Sequence, residues 1–451
     1  MNSSLLTDLY QLTMAYSYWK QGMENRTACF HLFYRRAPFS GEAVIAAGTV
    51  PALEFLQNLA FSDDDLIYLA QLKGADGRVL FEKGFLEMLE SLEWKLDVAA
   101  VPEGEVVYPH EPLMRITGPL LQCQLVETAL LNLVNFQTLV ATKAARICDA
   151  ADGDDVLEFG LRRAQGPDGG LSASRAAYIG GCAATSNVLA GQKFGIPVKG
   201  THAHSWVMSF ETEQAAFNAY AEAMPNNAIL LVDTYDTVEG VKKAIATGKQ
   251  LAEQGHQLLG IRLDSGDLAA LSQQARQLLD GAAMHSAKIV ASNDLDEYEI
   301  VRLKKAGARI DVWGVGTKLV TAYDQPALGG VYKLGALQNE NGDWDYKVKL
   351  SNDLIKVSNP GCLNVLRTAD GRDLLFNELE EQTEEENATR LLVDFIKEGR
   401  PVYQVPSLDQ TRERARDAWT GRQTKNPVAL TPQLEQTKRD LLAKHGFTPA
   451  N

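Results

Sequence analysis

AILLVDTYD (228–236), LLGIRLDSGD (258–267), KIVASNDLD (288–296) and IDVWGVGTKL (310–319) share one layout. Each starts as an apolar, β-branched run and ends in carboxylates, hydroxyls, amides or glycines. VLEFGLRR (156–163) and VKGTHAHS (198–205) follow the same plan upstream. Amphipathic stretches lie between them at 211–223, 238–254, 267–280 and 295–306. Strand–helix alternation at this spacing predicts a parallel sheet. Right-handed crossovers then favour a closed barrel or a doubly wound sheet. In either architecture the C-terminal strand ends carry the ligand-binding groups. Arg162, His204, Asp233, Asp236, Arg262, Asp264, Asp267, Asn293, Asp294, Gly316 and Thr317 are therefore expected to converge on one cavity.

The flanks read differently. A short helix capped by Thr7 or Asp8 opens the chain, and TACFHLFYRRAPF forms a β-rich run ending at Pro38. DVAAVPEGEVVYPHEPLMRIT (97–117) reads as short strands broken by Pro and Gly. Residues 122–149 have a mostly apolar helical pattern. From about 331 the strand signal returns in VYKLGAL, DYKVKLS and LNVLRT, followed by an acidic helix-like region at 377–398 and a helix after Pro432. The expected organisation is an N-terminal accessory domain (1–125), an α/β barrel (126–335) and a C-terminal segment (336–451) that returns to the accessory domain.

The 451 residues carry 44 Lys+Arg against 58 Asp+Glu, a net charge of -14. That balance argues against a dedicated nucleic-acid binder, whose affinity comes from clustered cations. Five cysteines without a C-x-x-C pair argue against a structural zinc site or a disulfide framework, and for a reducing cytoplasm. The first residues lack a signal-peptide pattern. The uncharged, mostly apolar stretch Thr128–Thr142 is too short to span a bilayer.

Several motifs bear chemistry, each with a plainer alternative. GVGT (314–317) suits a phosphate loop or an ordinary tight turn. In RLDSGD (262–267), Arg262 could clamp an anion or pair with Asp264. Asp264 and Asp267 could hold Mg²⁺, although a helix cap is the stronger reading of Asp267. The adjacent arginines of EFGLRRAQGPDGG (158–170) suit an anion or salt bridges to neighbouring strand ends. GTHAHS (200–205) would point both histidines to one face of a strand, as a metal pair, while a single strand-end histidine could act as base or nucleophile. Tyr10, Phe159 and Tyr235 could stack on a ring or fill a core.

TDLYQLTMAY, FYRRAPF, EFGLRRAQGPDGG, GGCAATSNVLAG, GTHAHSWVMSF, IRLDSGDL, ASNDLDEY and WGVGTKL stand in an order that resembles the nicotinate phosphoribosyltransferases, from about Leu6 to Leu334. The resemblance implies an irregular (β/α) barrel of the type II phosphoribosyltransferases with a second α/β domain built from both chain ends. It implies transfer of a phosphoribosyl group to nicotinate in NAD synthesis, with Mg²⁺, and with ATP as co-substrate through a phosphohistidine. It also implies a homodimer with shared active sites. His204 matches the phosphorylated histidine, whereas His202 is given no role. Thr201 and Arg262 match nicotinate contacts. Tyr10 and Phe159 match stacking rings, with Arg162 beside Phe159. Asn293 and Asp294 match the ribose and phosphate region, Gly316 and Thr317 the 5′-phosphate loop, and Asp264 the ribose or Mg²⁺. The related nicotinamide enzymes carry an aspartate where Ser186 aligns, so a neutral side chain there favours the acid. Rival readings are the nicotinamide-using relative, a quinolinate phosphoribosyltransferase, a phosphosugar isomerase and a non-catalytic phosphometabolite-binding protein.

Overall fold

The computed structural model describes residues 4–351, 353–380, 388–422 and 428–447. The chain divides into two units, Met1–Leu139 with Ala327–Asn451, and Val140–Pro326.

In the first unit a seven-stranded antiparallel sheet draws on both ends of the chain. Its order is Trp344–Tyr346, Gly330–Gln338, Thr27–Tyr34, Pro112–Pro119, Asp97–Ala100, Val393–Lys397 and Arg400–Pro401. Thr27–Tyr34 is buried along nearly its whole length, which accounts for its aromatic and apolar residues. The N-terminal helix spans Leu9–Lys20 with Asp8 at its cap position. Around it Leu12, Ala15, Phe81, Phe85 and Leu121 form a compact core.

Two expectations need correction here. The region 377–398 is not helical where it is described: Asp373–Asn377 and Val393–Lys397 are strands. Their apolar residues were masked by the acidic composition between them, and residues 381–387 lie outside the described set. The expected barrel limits, 126 and 335, also differ from the observed divide at 139/140 and 326/327. The first half of helix Glu127–Ala151 packs within the first unit, where Thr138 Oγ1 donates to Ala47 O at 2.9 Å. Gly330–Gln338 belongs to the first unit because it pairs with Thr27–Tyr34.

The second unit holds a six-stranded parallel sheet. Its order is Ala184–Thr185, Asp155–Glu158, Val312–Val315, Lys288–Ala291, Gly260–Leu263 and Ile229–Leu231. That order is a ring read in sequence and opened between Thr185 and Ile229, with none of the mid-sheet reversal that marks a doubly wound sheet. The connecting segment reaches into the gap, where Val198 forms a parallel bridge to Thr185. This is the irregular barrel of the two architectures considered.

Local chemistry explains the connections. Asp236, Asp267 and Asp296 each cap the helix that follows them by accepting backbone N–H bonds, as short polar side chains do at helix starts. The run VKGTHAHS is not a strand. Only Val198 pairs, and a short helix starts at His204. Ala184–Thr185 takes a place in the sheet instead, as a two-residue strand too short to show a period.

Candidate active site

Arg262 is the hub of the site. Its Nε donates to Ser292 Oγ at 2.8 Å, Nη1 to Thr201 Oγ1 at 3.1 Å and Nη2 to Asp264 Oδ1 at 3.0 Å. Three elements are thus held by one planar fork, a geometry an ammonium cannot reproduce. The Arg262–Asp264 pairing weighed from the sequence is present, and it coexists with the contact to Thr201.

Asp264 also accepts from Ser292 Oγ. Its backbone N–H donates to Asp233 Oδ2 at 2.8 Å, and Ser265 Oγ donates to the same oxygen at 2.7 Å. Burial acts to raise the Asp264 pKa, but the Ser292 hydroxyl and the Arg262 guanidinium outweigh it and hold the carboxyl below its usual range. Asp264 is therefore an anion at neutral pH.

His204 stands at the rim of this cluster. Its Nδ1 lies 3.1 Å from Thr234 Oγ1 and its Nε2 lies 3.7 Å from Asp264 Oδ2. The ring is 41% exposed, so it is held in orientation yet open to a ligand. His202 does not share its face. It is buried, and its Nε2 accepts the Leu231 N–H at 3.2 Å. The two histidines are thus not a metal pair, because the strand geometry that would align them is absent.

Among the described residues no group of three or more His, Cys, Asp or Glu could hold a metal ion. Two carboxylates still offer free oxygens at the strand ends. Asp233 Oδ1 is buried without a partner among the described residues, and Asp264 Oδ2 lies 3.7 Å from His204 Nε2. Such a donor set fits Mg²⁺, which binds through one or two carboxylates and keeps several waters for substrate oxygens to replace.

Phe159 follows the strand Asp155–Glu158, and the Arg262 guanidinium carbon lies 5.9 Å from its ring centroid. A Cβ on Gly314 would stand 2.9 Å from the Phe159 ring, and one on Gly316 would stand 3.1 Å from Phe159 O. The glycines of GVGT therefore make room for the neighbouring strand end, a demand the sequence reading did not foresee. Beneath them the buried carboxylate of Glu158 accepts from Gly160 N, from Ser174 Oγ at 2.8 Å and from Thr185 Oγ1 at 2.6 Å. Ser186 N donates to Glu158 O at 2.9 Å, so one residue ties the Phe159 and Ser186 loops together.

Arg162 and Arg163 are exposed on a single 3-10 turn and form no ion pair among the described residues, so the salt-bridge alternative is not realised. Asn293 and Asp294 form an exposed turn with φ of 100° and 46°. Left-handed backbone at non-glycine residues costs energy and clusters at functional sites. Thr317 opens the short helix Thr317–Val320. Asp236 was expected in the cluster, but its carboxylate serves as a helix cap; Asp267 also caps its helix, which was the stronger reading of that residue. Tyr235 is 66% exposed. Tyr10 belongs to the first unit, on the exposed side of Leu9–Lys20. Ser292, Thr234 and the Glu158 carboxylate were missed, since each acts through partners distant in sequence.

The sequence matches two family models, the nicotinate phosphoribosyltransferase N-terminal domain over residues 5–135 and the nicotinate phosphoribosyltransferase family over residues 155–345. It is 49% identical over 365 residues to the nicotinate phosphoribosyltransferase of Bacillus subtilis, covering 81% of this chain and 73% of that protein. It is 39% identical to the human nicotinate phosphoribosyltransferase over 429 residues, covering 82% and 78%. The crystal structure of human nicotinic acid phosphoribosyltransferase superposes with a TM-score of 0.83 at 33% identity, covering 96% of this chain and 99% of that one. The nicotinate-nucleotide pyrophosphorylase of Pyrococcus furiosus shares the fold, with a TM-score of 0.72 at 21% identity over 92% and 94% of the two chains.

Proposed function

Because the chain belongs to the nicotinate phosphoribosyltransferase family, we propose that it joins nicotinate to 5-phosphoribosyl 1-diphosphate, giving nicotinate mononucleotide and diphosphate. The observation that carries this reading is the Arg262 fork. It sets a fixed cation, itself bonded to the Thr201 hydroxyl, over the Phe159 ring, which is the chemistry a flat aromatic carboxylate requires. Ser186, on the loop tied to Glu158, adds no negative charge that would repel the acid.

The pyridine nitrogen attacks C1 of the ribose as the bond from C1 to the diphosphate oxygen breaks. No enzyme–sugar bond is needed. The protein contributes orientation and fixed charge. Asn293 and Asp294 take the ribose, and Gly316 and Thr317 take its 5′-phosphate, with Arg162 as a further free cation. Magnesium held by Asp233 and Asp264 would supply charge neutralisation at the departing diphosphate. Tyr10, carried across a homodimer, would close the ring pocket from the other face.

ATP coupling belongs to the same proposal. With Nδ1 tied to Thr234, Nε2 of His204 attacks the γ-phosphorus and ADP leaves. Water later cleaves the phosphohistidine to phosphate and free imidazole. The added charge beside Asp264 alters the pocket's affinity for the sugar substrate, so hydrolysis changes binding rather than the transfer step. A cytoplasmic setting and a role in NAD synthesis accompany this reading. Among the described residues no helix is long and apolar enough to cross a membrane.

The test is product analysis with nicotinate, 5-phosphoribosyl 1-diphosphate and Mg²⁺, with and without ATP. [γ-³²P]ATP labelling of the wild type and His204→Ala accompanies it. Nicotinate mononucleotide formation, stimulated by ATP, with a label lost in H204A, is expected. Transfer without any label would overturn the coupling and leave the transferase reading standing.

A further inference from the structure

We propose that His202 is a positioning residue, whose imidazole replaces a missing main-chain rung at the open seam of the barrel and so fixes Thr201 and His204 on either side of it. The inference rests on the proposed nicotinate chemistry for its consequence, but not for its geometry.

The seam lies between the outer strands Ala184–Thr185 and Ile229–Leu231. On one side the chain pairs normally: Thr185 N donates to Pro197 O and Lys199 N donates to Thr185 O, both at 3.0 Å. Past Val198 the chain leaves that ladder. Among the described residues no main-chain hydrogen bond joins 200–203 to Ile229–Leu231. Yet Leu231 needs an acceptor there. In a parallel pair alternate residues bond to the same neighbour, and Val232 N donates to Arg262 O at 3.2 Å. The Leu231 N–H therefore points to the other side, into the seam. A buried amide left without a partner there is costly.

His202 Nε2 meets that donor at 3.2 Å. An amide can only donate, so Nε2 carries the lone pair and the ring proton sits on Nδ1, which faces Ala203 O at 3.4 Å. The residue is 7% exposed. Tyr220 stands edge-on at 4.8 Å between centroids and Phe217 at 6.1 Å. The backbone at 202 is thus pinned by a directional bond and two rings. Thr201, one residue before, receives Arg262 Nη1. His204, two residues after, meets Thr234 and Asp264. Any shift of the pinned residue moves both.

Three full-length variants separate a rung from a filler. In His202→Gln the amide oxygen lies as many bonds from Cα as Nε2 does, so it can still accept from Leu231. In His202→Asn the oxygen reaches only as far as Nδ1, and in His202→Leu there is no acceptor. Two quantities are measured: hydrogen exchange at the Leu231 amide, and equilibrium binding of nicotinate. Loss of the rung is expected to speed Leu231 exchange and weaken nicotinate binding by about tenfold each in H202L and H202N, with H202Q close to wild type. Unchanged exchange in H202L or H202N overturns the proposal. So does altered exchange with unaltered nicotinate affinity. Should H202L fail to fold, the contrast between H202Q and H202N decides. If the wild type binds no nicotinate, the functional reading fails separately, and the exchange contrast alone supports or overturns the rung.

Discussion

Arg262 and Asp264 stand two residues apart at one strand end, and the guanidinium Nη2 meets the carboxylate Oδ1 at 3.0 Å. The same fork reaches Thr201 and Ser292. Arg262→Lys retains the charge but can fill only one of these directions. Losing about two charge-assisted bonds of roughly 1.5 kcal/mol each predicts about a hundredfold fall in kcat/KM. Steady-state kinetics of R262K against wild type measures it. Activity within threefold of wild type would mean that the fork does not shape the pocket.

Gly314 is a spatial requirement. A Cβ there would stand 2.9 and 3.0 Å from two Phe159 ring atoms and 3.4 Å from Ala291 O. Gly314→Ala therefore pushes the ring off its present plane, at a stability cost of about 1–3 kcal/mol. If Phe159 stacks on the base as proposed, KM for nicotinate should rise about tenfold while kcat changes less. Kinetics with nicotinate as the varied substrate, beside a thermal melt, checks both parts. A lower Tm with unaltered KM would show that the ring is core and not pocket.

The main carboxylate bracket lies deeper. Glu158 takes three donors on two oxygens, from Gly160, Ser174 and Thr185. Glu158→Gln must turn its NH₂ either toward the Gly160 N–H, leaving that donor unsatisfied, or toward the two hydroxyls, which must then reverse to accept. The expected loss is about 2 kcal/mol of unfolding free energy, read by denaturant titration. A variant as stable as wild type would imply that the bracket is dispensable.

The parts of the fold legible in the sequence were those with long, uninterrupted apolar runs. GIRL, KIVA and VWGV each lie within a strand expected from their β-branched character, and of the residues at their ends Asp264 and Ser292 bond Arg262. The parts that were not legible depend on distance. Ser292 and Thr201 lie 30 and 61 residues from Arg262, so no local spacing announces the fork. VKGTHAHS looked like a strand because alternation was counted across Gly200, whereas its only pairing is at Val198. The role of His202 was invisible for the same reason: its partner is the backbone of Leu231, and a backbone donor leaves no mark in composition.

Ser186 offers a charge test. Its N–H is anchored on Glu158 O, which fixes the loop and leaves the side chain as the variable. Ser186→Asp would place a carboxylate where the proposed substrate carries its own. Like-charge contact in a partly dry site is expected to cut kcat/KM for nicotinate at least tenfold and to spare or improve nicotinamide. Competition between the two bases measures the ratio. An unchanged preference would remove Ser186 from the specificity reading.

His202 also sets a pH limit on stability. Burial lowers its pKa, the Ala203 carbonyl opposes this, and Arg262 and His204 add to the lowering, leaving it at about 4 against an ordinary 6.5. Tyr220 packs edge-on against the ring as a neutral phenol. The unfolded chain therefore binds this proton more readily than the folded one. The stability due to a neutral His202 is fully present above about pH 6.5, falls as pH drops, and is gone below about pH 4. Integrated over that window it amounts to about 3 kcal/mol. Protonation also removes the lone pair that accepts from Leu231, so the seam should open as the charge appears. Denaturant titrations of wild type and H202Q from pH 7 to pH 4 isolate the contribution, since the glutamine cannot titrate. The wild-type curve should drop more steeply than that of H202Q across this range. Parallel curves would mean that the proton enters without cost and that the ring is not locked in its accepting form.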